Sequence, residues 1–184
     1  MRVFVAISVP PALQGEILAW GSAHRELPVR WLSGKNLHVT LVPPWEEEPA
    51  RVPEVLAHLR EAVGVLREPL VLSFSLVRFG PDPRRPRLIW AEGETPQALV
   101  MLSMELHRVL GFPPENRPYR LHLTIARFRS EDFSSFPRHD LDERLSWRME
   151  ANAVVLMQSH LLRGGAEYEV LREVPFSSSS PHGE

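Results

Sequence analysis

The chain has 184 residues, 43% of them hydrophobic and 24% charged, enough for one ordinary domain or two small lobes sharing a core. That composition excludes wholesale disorder and a fibrous repeat, and the formal net charge of −2, from 21 basic against 23 acidic residues, argues against a protein that holds nucleic acid mainly by long-range attraction. The absence of cysteine removes disulfide frameworks, thiolate metal sites and cysteine nucleophiles together.

Residues 3–7 are an unbroken, β-branched-rich apolar run closed by Pro10 and Pro11, which predicts a buried, central strand. The run is too short for a signal core and no later stretch is long enough to span a bilayer, so a cytoplasmic protein with no membrane partner is expected. Leu13, Ile17 and Trp20 recur at helical spacing up to about residue 26. Residues 29–32 read as a short strand, 33–36 as a turn and 37–42 as a strand. Val52, Val55, Leu56, Leu59, Ala62, Val63 and Leu66 form the apolar stripe of a helix over 50–66.

Strand alternation follows over 70–77, with a partner strand at 87–91 across the turn Gly80, Pro81, Asp82, Pro83. The loop arginines Arg84, Arg85 and Arg87 read as solvated, with contact to a phosphate backbone as the alternative. A helix is predicted over 96–110, stopped by Gly111, then a strand over 121–126 and a short helix at 140–144. Two strands, near 149–158 and 168–174, flank a turn at 163–166. The expected unit is a single bilobal α+β domain over 1–176, made of two similar halves, with a disordered tail over 177–184.

One feature repeats. Leu37, His38, Val39, Thr40 and Leu41 return as Leu121, His122, Leu123, Thr124 and Ile125, each inside a predicted strand. The chain has three threonines and eight histidines, and two of those threonines stand two residues after a histidine. Random placement gives about 0.13 such pairs. Alternation turns His38 and Thr40 to one face and their apolar neighbours to the other, and it divides the second motif in the same way. An imidazole and a hydroxyl about 7 Å apart along a strand reach opposite sides of one small anion such as a phosphate.

Two histidines suit a cyclic phosphodiester. One neutral imidazole takes a proton from water for in-line attack on phosphorus, and one imidazolium protonates the departing ribose oxygen, both near working pH without large tuning. No metal or other cofactor is needed for that chemistry. A zinc site built on His38 and His122 would need further ligands, and no cysteine or suitably spaced acid offers them. The remaining histidines, His24, His58, His107, His139, His160 and His182, read as solvated or capping groups.

At these motifs the sequence resembles the 2H phosphoesterase superfamily, and within it the RNA 2′,3′-cyclic phosphodiesterases, also called 2′-5′ RNA ligases. The likeness extends to the opening Arg2, Val3, Phe4, Val5, Ala6, Ile7, to Trp31 ahead of Asn36, to Ala126 and Arg127, and to residues 159–168 with Gly164 and Gly165. It implies two pseudo-symmetric lobes of antiparallel sheet with helices outside and a central cleft. It also implies His38 as proton donor, His122 as proton acceptor, Thr40 and Thr124 on the phosphate oxygens, and Arg127 holding the anion. The implied reaction opens RNA 2′,3′-cyclic phosphate ends to 2′-phosphate ends, without metal, on RNA 3′ ends or small cyclic-phosphate nucleotides; a monomer is the default expectation.

The chain departs from relatives at residues 42–45, Val-Pro-Pro-Trp, where a Lys-Phe-Leu-Gly type run is common. Strict alternation also sends Arg127 to the oily face, so either the strand ends or bulges near Ala126 and Arg127 binds the anion, or Arg127 merely caps the sheet edge. Two rivals use the same residues: a ligase, in which a 5′-hydroxyl replaces water, and a non-catalytic module that binds RNA ends or nucleotides. Phe4, Trp31 and Trp45 are candidates to stack on a base, with core packing as the competing explanation.

Overall fold

In the computed structural model, which describes residues 1–113, 116–163 and 165–177, the strands form two antiparallel sheets. The four-stranded sheet has the order β3 (His38–Glu46), β1 (Arg2–Ser8), β8 (Ala153–Leu162), β9 (Gly165–Pro175). The five-stranded sheet has the order β2 (Arg30–Trp31), β6 (His122–Arg127), β5 (Leu88–Glu92), β4 (Leu70–Gly80), β7 (Asp142–Ala151). Of the expected tail only Ser177 is among the described residues; 178–184 lie outside them.

β1 is central for a reason visible in its burial. Val3, Val5 and Ile7 enter the main core, while Phe4 and Ala6 join a separate apolar cluster with Val155, Met157 and Tyr168 on the other face. A strand covered on both faces needs a partner along each edge, and β3 and β8 supply them. Helix α1 (Pro11–Ala23) begins with proline at its first position and ends a few residues short of the expected 26. α2 (Val52–Val63) buries Val55, Leu56, Leu59, Ala62 and Val63 against α3, β8 and β9. α3 (Gln97–Val109) packs on α2 and β3 and is stopped by Gly111 at φ +75°, a conformation that suits glycine. Among the described residues no helix is long and apolar enough to cross a membrane.

The structure corrects three expectations. Residues 140–144 are not helical: β7 starts at Asp142 and pairs with β4, with Asp142 opposite Arg78 and bonded to it at 2.9 Å. A 3-10 turn lies earlier, at Ser130–Ser135. The single strand expected over 149–158 is two strands in different sheets, divided at Asn152. Met149 and Ala151 face the main core from odd positions, Val154 and Leu156 from even ones, so the inward face changes phase there. A continuous apolar run, 153–157, hides that slip in the sequence.

Thirdly, the lobes are not consecutive halves of the chain. The C-terminal hairpin β8–β9 completes the sheet begun by β1 and β3, and β2 crosses to the edge of the other sheet beside β6.

Candidate active site

Both motifs lie where the sequence places them, one on β3 and one on β6, and Leu37, Val39, Leu41, Leu121, Leu123 and Ile125 are all buried behind them. The register adds a shared irregularity. On β3, Thr40 opposes Ala6 but Val42 opposes Val5, so Leu41 is an extra residue. On β6, Thr124 opposes Trp90 but Ala126 opposes Ile89, so Ile125 is the extra residue. Each motif is thus His-x-Thr followed by a one-residue β-bulge.

The bulge decides the position of Arg127. It stands opposite Leu88, on the strand face that Trp90 and Glu92 present to Thr124 and His122. Alternation restarted by Ile125 therefore returns Arg127 to the histidine face, and the burial pattern, with Ile125 and Ala126 both covered and Arg127 part-exposed, agrees. The same step on β3 buries Leu41 and Val42 and exposes Pro43. Of the two motif strands, only β6 carries a cation at this place.

The two imidazoles are held alike. His38 Nδ1–H donates to the carbonyl of Asn36 at 2.7 Å, and His122 Nδ1–H donates to the carbonyl of Arg120 at 2.9 Å. In each case the acceptor stands two residues earlier, and the Nε2 atom is left for chemistry. Their surroundings differ. His38 is 9% exposed, flanked by Phe4 at 4.9 Å and Tyr168 at 5.0 Å between ring centroids, whereas His122 is more open, with Trp90 at 5.0 Å. Glu92, opposite His122 in the ladder, is engaged by Arg78 and Arg120.

Burial pushes His38 down to about 4; its bond to Asn36 works against that shift, while the charges of Arg127 and His122 add to it. This corrects the expectation that both histidines titrate near neutrality. It also shows that His38, His122 and Arg127 share one electrostatic environment across the seam where β3 meets β6.

Several supporting groups carry no sequence signal of their own. β3 is an edge strand, and side chains cap its outward carbonyls: Tyr119 Oη–H donates to Thr40 O at 2.7 Å and Ser103 Oγ–H to Leu41 O at 3.0 Å. β6 pairs with β5 along its length and with β2 at Ala126 and Arg127. Buried Asn36 accepts the Tyr168 amide on its Oδ1 at 3.2 Å. The repeat could have located Asn36 and Arg120, since each precedes its histidine by two positions. His107, expected to be solvated or capping, is instead buried, with Nδ1 on the Ser103 carbonyl. Phe4 is 1% exposed, and Trp31 packs against Trp20 and Gly21, so both serve the interior.

The two motif strands adjoin, and each carries an imidazole and a hydroxyl on one face, with a guanidinium added on β6, a set of groups suited to moving protons around a phosphate anion. Among the described residues no three His, Asp or Glu side chains are grouped so that they could share a metal ion.

Comparison with known proteins bears on the family and the fold. A family model described as the 2′-5′ RNA ligase superfamily matches residues 9–162. The RNA 2′,3′-cyclic phosphodiesterase of Aeropyrum pernix is 28% identical over 166 residues, 85% of this chain and 92% of that protein. The protein of the same name from Thermotoga maritima is 30% identical over 136 residues, 70% and 71% of the two chains. Among solved structures, TT0787 of Thermus thermophilus superposes with a TM-score of 0.80 at 20% identity, covering 98% of this chain and 100% of that one. Escherichia coli LigT complexed with 3′-AMP gives 0.68 at 24% identity, covering 96% and 98%. Both likenesses speak for the bilobal fold.

Proposed function

Since this chain belongs to the 2′-5′ RNA ligase superfamily, we propose that it hydrolyses RNA 2′,3′-cyclic phosphate ends to 2′-phosphate ends by acid–base catalysis between His38 and His122. What carries the proposal is the doubled unit itself: the same bulge and the same Nδ1 anchor on two adjoining strands. Relatives along most of the chain bear the name RNA 2′,3′-cyclic phosphodiesterase, which supports the substrate class.

In this reading water attacks phosphorus as the bond from phosphorus to the 3′ oxygen breaks. His122, the more accessible imidazole, takes the water proton on Nε2. His38 delivers a proton from Nε2 to the 3′ oxygen, and the phosphate stays on the 2′ oxygen. Thr40 and Thr124 donate to the non-bridging oxygens, and Arg127 balances their charge. Burial, with the nearby charges of Arg127 and His122, disfavours a proton on His38 in the free chain, so His38 takes its proton from solvent as the substrate binds, when the anionic phosphate supplies the opposite charge. No step calls on a metal ion.

The test is an RNA oligonucleotide ending in 2′,3′-cyclic phosphate, incubated with EDTA and analysed for a 2′-phosphate product. Loss of turnover with EDTA, or full turnover in His122→Ala, would refute the mechanism. Adding an RNA with a 5′-hydroxyl to the same assay distinguishes hydrolysis from ligation.

A further inference from the structure

The surface next to Arg127 carries a set of arginines that the proposed reaction does not use. β5 begins one residue after Arg87, and β6 ends at Arg127, two residues before Arg129. Arg84, Arg85, Arg87 and Arg129 are exposed. Together with Arg127 they make no ion pair among the described residues. Within that described set some exposed arginines elsewhere are engaged, as Arg51 is by Glu54, Arg78 by Asp142, Arg108 by Glu105 and Arg148 by Glu150, and others, such as Arg25, Arg60 and Arg67, are not; what sets this group apart is that its members lie together on two adjoining segments.

These arginines sit on a fixed support. Arg87 N–H donates to Gly80 O at 2.8 Å, Arg85 N–H to Asp82 O at 3.1 Å and Arg84 N–H to Asp82 Oδ1 at 2.9 Å. Ser130 Oγ–H reaches the carbonyls of Arg85 and Pro86 at 3.1 and 2.8 Å, and Phe128 N–H reaches Arg87 O at 3.0 Å, so the two Arg-bearing segments are stitched together. Beneath them the rings of Phe79, Phe128, Phe133 and Phe136 pack on one another. Like charges held side by side on a rigid base repel, and a polyanion relieves that repulsion. The other end of the same strand pair offers no such field, because Glu92 engages both Arg78 and Arg120 there.

We propose that this ridge carries the backbone phosphates of the RNA leading to the cyclic end, which makes single-stranded RNA of several nucleotides the preferred substrate over a free nucleotide. The inference rests on the cleft being a 2′,3′-cyclic phosphate site. Arg127 to Arg129 spans about 7 Å along an extended chain, so the ridge continues directly from the reacting phosphate. The chain's net charge of −2 is no obstacle, since the ridge is local and lies beside the cleft.

The experiment compares a decamer RNA ending in 2′,3′-cyclic phosphate with cytidine 2′,3′-cyclic phosphate, in the wild-type chain and in Arg84→Gln/Arg85→Gln/Arg129→Gln. The ratio of kcat/KM for decamer over mononucleotide should fall about tenfold, and the slope of log affinity against log salt should shrink by about 2. The lysine triple variant should restore much of both. An unchanged ratio, or equal losses on both substrates, overturns the ridge. If the wild-type chain turns over neither substrate, the cleft reading fails instead. The ridge is then judged by fluorescence anisotropy of a labelled decamer ending in 2′-phosphate, where equal affinity of wild type and triple variant overturns it.

Discussion

His38 donates its Nδ1 hydrogen to the backbone oxygen of Asn36 at 2.7 Å, which fixes the tautomer of the neutral ring and leaves Nε2 unprotonated. His122 stands in the same relation to Arg120, so an identical local geometry serves a covered imidazole in one lobe and an open one in the other.

The covered imidazole makes stability depend on pH. His38 titrates at about 4 in the folded chain against 6.5 unfolded, so between those values the unfolded state holds more protons and stability falls as pH falls. The loss attributable to this residue is about 3 kcal/mol. Urea unfolding of wild type and His38→Gln at pH 7.5 and 4.5 should show a shallower pH dependence in the variant. Parallel curves would mean that His38 is not held neutral.

Binding of a 2′-nucleotide at pH 7 should draw a proton onto His38. Calorimetry in buffers of different ionisation enthalpy should report uptake of nearly one proton in the wild type and markedly less in His38→Gln. No uptake in either protein would shift the donor role to His122.

Arg127 owes its place to the bulge at Ile125, and its charge should act mainly on the bound anion. Arg127→Ala should raise KM roughly 10- to 100-fold, with partial recovery in Arg127→Lys, whose ammonium lacks the planar fork. An unchanged KM would leave Arg127 as a mere sheet residue.

Tyr119 and Ser103 hold the outer edge of β3. Tyr119→Phe should cost about 1 kcal/mol of stability. Because the lost bond ends on the carbonyl of Thr40, hydrogen exchange should quicken in β3 and not in β6, and turnover should decline severalfold with little change in KM. Uniform exchange in both strands would refute this division.

Gly165 has φ +116°, and a side-chain carbon there would run into the Arg30 guanidinium that packs over it. Gly165→Ala should lower stability by about 1–3 kcal/mol. Thermal unfolding measures it, and a neutral result would mean that the turn and Arg30 rearrange freely.

Much was legible in the sequence because it depends on local period. Val3 to Ile7 announces a covered strand, Leu37 to Leu41 and Leu121 to Ile125 announce strands with one oily and one reactive face, and the scarcity of threonine makes the doubled His-x-Thr stand out. Alternation even showed that Arg127 could serve the site only through an irregularity, though not where the irregularity lay.

What the sequence determined by itself was the chemistry on each strand: an imidazole and a hydroxyl two residues apart, twice over, since side-chain direction follows from backbone period alone. Which strands adjoin was decided by the tertiary structure. The division at Asn152, the return of β8 to β1 and the edge position of β3 all follow from which apolar faces cover one another, and no local pattern encodes that. The unequal burial of His38 and His122 has the same origin: Phe4 and Tyr168 come from strands far away in sequence, and only their packing takes the first imidazole out of water.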